Sequence, residues 1–134
     1  MKLIQYITAH VALITLSKKE FPYASAYRLV ELKRRIAPKV EFYAEEERKL
    51  VERFGERDEK GKLTIKGTRF VCKGDTPEAV EANVREYERL KLELNAVEDE
   101  EPWERITLEL PEDVRVSPEV IEALETFICF EVAK

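Results

Sequence analysis

The sequence predicts an α+β fold in which a long bent helix and two to three shorter helices pack on a small three-stranded antiparallel sheet. Residues 23–54 are highly charged, yet their apolar members recur at steps of three and four, the period of a helix that buries one face. Thr76-Pro77-Glu78 and Ser117-Pro118-Glu119 repeat one helix-start device, a hydroxyl cap followed by proline and a carboxylate. Residues 63–66 and 69–72 flank Gly67-Thr68 as the arms of a hairpin, and residues 105–110 alternate apolar with polar as a half-buried strand does.

In chain order, residues 2–17 are nearly continuously apolar, so periodicity does not separate strand from buried helix. The cap candidate Thr8 and the lysines at 18 and 19 favour a short helix over 9–18, leaving residues 2–7 as extended chain. Phe21-Pro22 ends it.

The stripe of the long helix is Leu29, Leu32, Ile36, Val40, Tyr43, Leu50 and Phe54, with Glu47 occupying one apolar place. The pairs Glu31/Arg35 and Glu45/Lys49 add roughly 0.2–0.5 kcal/mol each. Pro38 opposes it, since it removes one donor and crowds the Arg34 carbonyl at a cost of about 3 kcal/mol in a helix interior. A bend at Pro38 and a break over 35–38 both follow from that cost. At a rise of about 1.5 Å per residue the stretch spans roughly 48 Å, so one end projects or bends. Gly55 stands where a C-terminal cap belongs.

Residues 56–62 form a charged turn. The helix opened by Thr76 runs to Asn95 with Val80, Val84, Tyr87, Leu90 or Lys91, and Leu94 on its buried face. Residues 96–102 make an acidic loop, residues 105–110 supply the strand beside the hairpin, and the last helix buries Val120, Ile121, Leu124, Phe127 and Ile128.

At 134 residues and 44% apolar content the chain reads as one domain, 1–134. No apolar run reaches the roughly 18 residues of a membrane helix. Residues 4–16 are interrupted by Gln5, Thr8, His10 and Thr15 and lack a cleavage pattern, so a cytoplasmic protein without a membrane partner is expected. Cys72 and Cys129 read as buried free thiols, each within a strand or helix. The net charge of −5 hides a division: the first 74 residues carry +7 and the rest −12. Such a chain neutralises itself internally or pairs with a copy or a partner.

No motif for catalysis, a cofactor or a metal emerges. His10 is the one histidine, and two distant cysteines do not make the close-spaced pairs of a metal site. The four glycines are separate turns, and no carboxylate pair sits in an apolar setting that would raise a pKa for acid catalysis. Two polar features are candidate partner-binding surfaces. One is the basic helix face of Arg28, Lys33, Arg34, Arg35 and Lys39, either a solvated or self-neutralised face or a docking face for an acidic partner or nucleic acid. The other is the acidic loop Glu98, Asp99, Glu100, Glu101 with Trp103, which serves as an anchored turn or as an exposed binding tip.

Ala26-Tyr27-Arg28-Leu29, Ile36-Ala37-Pro38-Lys39-Val40, Tyr43-Ala44-Glu45-Glu46-Glu47-Arg48, the turn Phe54-Gly55-Glu56-Arg57-Asp58-Glu59-Lys60-Gly61 and the late Val116-Ser117-Pro118-Glu119-Val120-Ile121-Glu122-Ala123-Leu124-Glu125 follow one another in order. This succession resembles an uncharacterised family of short bacteriophage and prophage proteins, a domain of unknown function, from Gram-positive bacteria. The resemblance covers most of the chain after Phe21, implies that Pro38 lies within the helix as a tolerated bend, and brings no catalytic residues with it. The expected function is a non-enzymatic phage or prophage protein acting by protein contact, in particle assembly or as a host-directed factor, with a homo-oligomer among the outcomes. The alternatives are a nucleic-acid-associated accessory protein using the basic helix face, and an acidic inhibitor of a bacterial defence nuclease.

Overall fold

The computed structural model describes residues 1–132. The elements run α1 (Leu3–Ser17), α2 (Tyr23–Phe54), β1 (Ile65–Lys66), β2 (Arg69–Phe70), α3 (Pro77–Asn95), β3 (Ile106–Leu110), α4 (Pro118–Ala123) and β4 (Ile128–Val132). They fall into two compact units, one of Met1–Glu41 with the chain from Glu98 onward, the other Phe42–Val97.

In the first unit α1 begins at Leu3, so residues 3–7 are helical and only Lys2, the cap residue, is extended. The reason is a stripe at 3, 6, 9, 12, 13 and 16, all buried, which a strand would divide between two faces. Thr8 lies inside the helix, where its hydroxyl donates to the Ile4 carbonyl. Lys2 takes the cap position, and its backbone N–H donates to the Gln5 side chain at 2.8 Å. Also buried in this unit are Leu29, Leu32 and Ile36 of α2, Leu108 of β3, and Leu124, Phe127 and Ile128, and the Phe127 ring meets Tyr6 at 6.1 Å.

Strands β3 and β4 pair in parallel, Ile106 opposite Ile128 through Leu110 opposite Val132. This corrects two expectations. β3 does not join the hairpin, and the last helix stops at Ala123 instead of carrying its stripe to Ile128. The segment Phe127-Ile128-Cys129-Phe130-Glu131-Val132 is rich in β-branched and aromatic residues, and they prevail over the helix start set by Ser117 and Pro118. Parallel strands need a crossover of a dozen residues or more, and residues 111–127 with α4 supply it. On β4, Cys129 is exposed, not buried.

The second unit holds the rest of α2, the hairpin and α3. Helix α2 is continuous through Pro38, which settles the choice between bend and break in favour of one helix. Pro38 and Arg34 are both exposed, so water can take the carbonyl that the proline leaves without a donor. β1 and β2 form the expected two-residue hairpin, Ile65 opposite Phe70 and Lys66 opposite Arg69, with Gly67 at φ 67° and no positive φ at Thr68, the sign pattern of a type II′ turn.

The neighbour of this hairpin is the chain just after α2. Glu56 N donates to the Val71 carbonyl at 2.7 Å and Thr64 N to the Glu56 carbonyl at 2.8 Å, while Gly55 bridges Cys72 and Arg57 bridges Leu63. These are isolated bridges and not a strand, so the expected three-stranded antiparallel sheet is replaced by two sheets of two strands each, β1 with β2 and β3 with β4. Gly55 does not adopt the left-handed cap conformation. It is needed because a Cβ there would collide with the Leu63 side chain and stand 2.6 Å from the Val51 carbonyl oxygen.

α3 starts as expected, with the Thr76 hydroxyl accepting from Ala79 N at 3.1 Å. Tyr87 meets Phe54 and Phe70 edge-on, at 6.3 and 4.9 Å between ring centroids. The two charges that interrupt the apolar stripes, Glu47 of α2 and Lys91 of α3, form an ion pair with each other. Burial pushes the Lys91 ammonium below its ordinary range.

Candidate functional site

Five of the residues singled out above converge in the first unit. Lys39 extends between the acidic loop carboxylates, its Nζ 2.7 Å from Asp99 Oδ2 and 3.0 Å from Glu101 Oε2. Arg35, one turn earlier on the same helix face, reaches Glu101 at 3.2 Å and lays its guanidinium 4.3 Å from the centre of the Trp103 ring. The i, i+4 spacing places both cations over one loop. With side chains 26% and 18% exposed, Lys39 and Asp99 are shielded enough for the pair to matter more than an open surface bridge. Lys39 holds the Asp99 carboxyl down to about 2, and Asp99 in turn raises the Lys39 ammonium. Glu101 is lowered by Lys39 first and Arg35 second.

Trp103 is an anchor in this arrangement. Its Nε1 donates to the Tyr6 hydroxyl at 2.7 Å, and its ring meets Phe127 at 5.0 Å and 83° and Tyr6 at 5.8 Å. Burial, helped by the neighbouring Asp99 carboxylate, pushes the Tyr6 phenol up to about 12. Tyr6 and Phe127 escaped notice in the sequence as partners of Trp103. The α1 stripe at 3, 6, 9, 13 and 16 would have marked Tyr6 as facing inward.

The other singled-out residues lie apart from this cluster. Glu98 pairs with the Met1 amino group at 3.1 Å, and Glu100 is exposed without an ion pair among the described residues. Arg28 donates to the Thr107 carbonyl of β3 at 2.8 Å. Lys33 and Arg34 have no ion-pair partner among the described residues. They border a hollow of about 300 Å³ whose remaining lining is His10, Val30 and Ala37, and this lining is almost wholly apolar. Val30 in this lining is 43% exposed, Tyr27, three residues before it on α2, is 62% exposed, and Val11, next to His10 in the chain, is 59% exposed. An apolar patch rimmed by unpaired cations is suited to holding a surface that is apolar at its centre and acidic at its margin.

Among the described residues no three His, Cys, Asp or Glu side chains converge as a metal site would require. Nor is any described helix long and apolar enough to cross a membrane. In comparisons with models of protein families, with curated proteins and with solved structures, nothing matches this chain.

Proposed function

We propose that this is a non-enzymatic phage or prophage protein that works through protein contact, in particle assembly or as a host-directed factor. The observation that carries the reading is the unequal use of charge on α2. Arg35 and Lys39 are spent on Asp99 and Glu101, whereas Lys33 and Arg34 are left beside exposed Tyr27 and Val30. Exposed apolar area next to unspent charge is the composition of an interface that is covered part of the time. The phage assignment rests on the ordered resemblance of residues 26–61 and 116–125 described above.

A photo-crosslinking side chain at Val30 tests the contact. The expected product is a protein adduct that disappears in Lys33→Glu/Arg34→Glu while the melting temperature stays unchanged. An absence of protein adducts in host lysate, in virion fractions and in the pure protein would end the reading.

The same two cations with Arg28 favour a second reading, a nucleic-acid-associated accessory protein. An electrophoretic shift assay at two salt concentrations separates them, because phosphate contacts strengthen as salt falls. Binding at low salt that is lost in the charge-reversal variant supports nucleic acid; no shift at low salt removes it.

A further inference from the structure

We infer that the outer edge of β4 pairs with the same edge of a second copy of this chain, antiparallel and centred on Phe130. The surface is distinct from the charged face of α2, so the inference stands or falls independently of the proposed contact there.

Two hydrogen bonds fix which way the backbone of β4 points. The Phe127 carbonyl accepts from Ile106 N of β3 at 2.9 Å, whereas Ile128 N turns away and donates to the Leu124 carbonyl at 2.8 Å. By the alternation of a strand, Cys129 and Glu131 then serve the ladder with β3, and Ile128, Phe130 and Val132 direct their backbone groups outward. The sheet has two strands, so each has an outer edge. That of β3 is covered in part, because Arg28 donates to the outward Thr107 carbonyl at 2.8 Å. On β4 the Ile128 carbonyl, both backbone groups of Phe130 and the Val132 N–H have no partner among the described residues. Val132, 79% exposed, ends an apolar row begun by buried Ile128 and half-buried Phe130. An open edge that ends in an exposed apolar side chain is a template for another strand.

The occupant follows from what can answer this edge. β1 and β2 are two residues long and β3 is covered, which leaves β4 itself as the strand of this chain with a free edge to offer. In an antiparallel pairing centred on Phe130, the two Phe130 residues exchange both of their bonds, and each Val132 N–H meets the copy's Ile128 carbonyl. Moving the centre to Cys129 calls on Ile128 N–H, which is already engaged, and moving it to Glu131 sets carboxylate directly against carboxylate. With Phe130 at the centre, Glu131 faces the copy's Cys129, and Val132 lies beside the copy's Ile128.

Glu131→Cys tests this register. It sets thiols at 129 and 131 of opposite chains about 4.5 Å apart at their Cα atoms, within disulfide reach. Under oxidised glutathione this variant is expected to form dimers whose bridge maps by mass spectrometry to 129 and 131. The wild type, whose two Cys129 residues stand on a diagonal of roughly 7–8 Å, and Cys129→Ser/Glu131→Cys are expected to form none. Sedimentation velocity of the reduced wild type should show a dimer, which Val132→Lys weakens by roughly tenfold or more. Salt should strengthen it, since exposed Glu131 lies on the edge of both copies. Thermal melts verify that the variants fold. A monomeric wild type, a bridge between paired Cys129 residues, or no bridge in Glu131→Cys overturns the inference. Association that Val132→Lys leaves intact and salt weakens belongs to the charged face of α2, and it overturns the inference as well.

Discussion

Lys39 is held by two carboxylates on one side and faces an aromatic group on the other, and this setting gives the protein a stability profile with two limbs. The Asp99 carboxyl is depressed from 3.8 to about 2. It therefore contributes stability that is complete above its unfolded value and lost as pH falls from about 4 through about 2. The Tyr6 phenol is raised from 10.0 to about 12, so its contribution is complete below pH 10 and lost as pH climbs toward about 12. Urea unfolding across pH should show the wild type losing more stability than Asp99→Asn in the acid window. In the alkaline window it should lose more than Tyr6→Phe, which at neutral pH is weaker by about 1–3 kcal/mol because Trp103 Nε1 loses its acceptor. Parallel profiles for wild type and variants would disprove these assignments.

The two thiols make a second test at this scale. Cys72 is buried and its thiol pushed up by that burial, while Cys129 is exposed on β4. Mass spectrometry after brief iodoacetamide treatment should find Cys129 modified and Cys72 protected until denaturant is added; equal rates would refute the buried placement. At this scale the sequence was informative about which charges matter and silent about their partners. Arg35, Lys39, Asp99 and Glu101 stood out as two separate features, and their union spans 60 to 66 residues of chain that no local period encodes.

Among the elements, α3 was legible because its stripe and its cap agree, and α2 because its apolar stripe runs on through Pro38. The two strands that misled did so for opposite reasons. β3 reads correctly as a strand, but alternation says nothing of its partner, and β4 lies behind a strong helix start whose influence lasts one and a half turns. Pro38 offers a direct test of how α2 balances its own defect. Pro38 and Arg34 are both exposed, so the helix carries the penalty of the lost backbone bond without packing around the ring to offset it. Pro38→Ala should raise stability by about 1–3 kcal/mol, the helix-interior difference between the two residues less the entropy regained by the unfolded chain. Thermal melts decide the matter, and a loss of stability would mean that the ring packs against something the helix needs.

For the whole molecule, the division into a basic first half and an acidic second half resolves into two kinds of ion pair. Arg48 with Glu45 and Glu52, Lys49 with Glu46, and Arg89 with Glu86 and Glu93 lie along single helices in open solvent, where entropy and screening cancel most of the attraction. The Lys39 pairs with Asp99 and Glu101 instead tie an early helix to a late loop and stand on an aromatic floor. Net charge alone does not distinguish the two kinds, since each adds one cation and one anion. Salt does, because the Debye length falls from about 10 Å at about 0.1 M to about 3 Å at about 1 M and shielded pairs feel the change least. Lys39→Met should therefore cost about 1–2 kcal/mol at low salt, the value of hydrogen bonds to charged groups at a partly exposed site, and keep more than half of that cost at high salt. Arg48→Ala should leave the urea midpoint unchanged at both salt concentrations. If the Lys39→Met deficit vanished at high salt, the cluster would be an ordinary surface network. The charges of the basic half would then be available to a partner over the whole face and not only at Lys33 and Arg34.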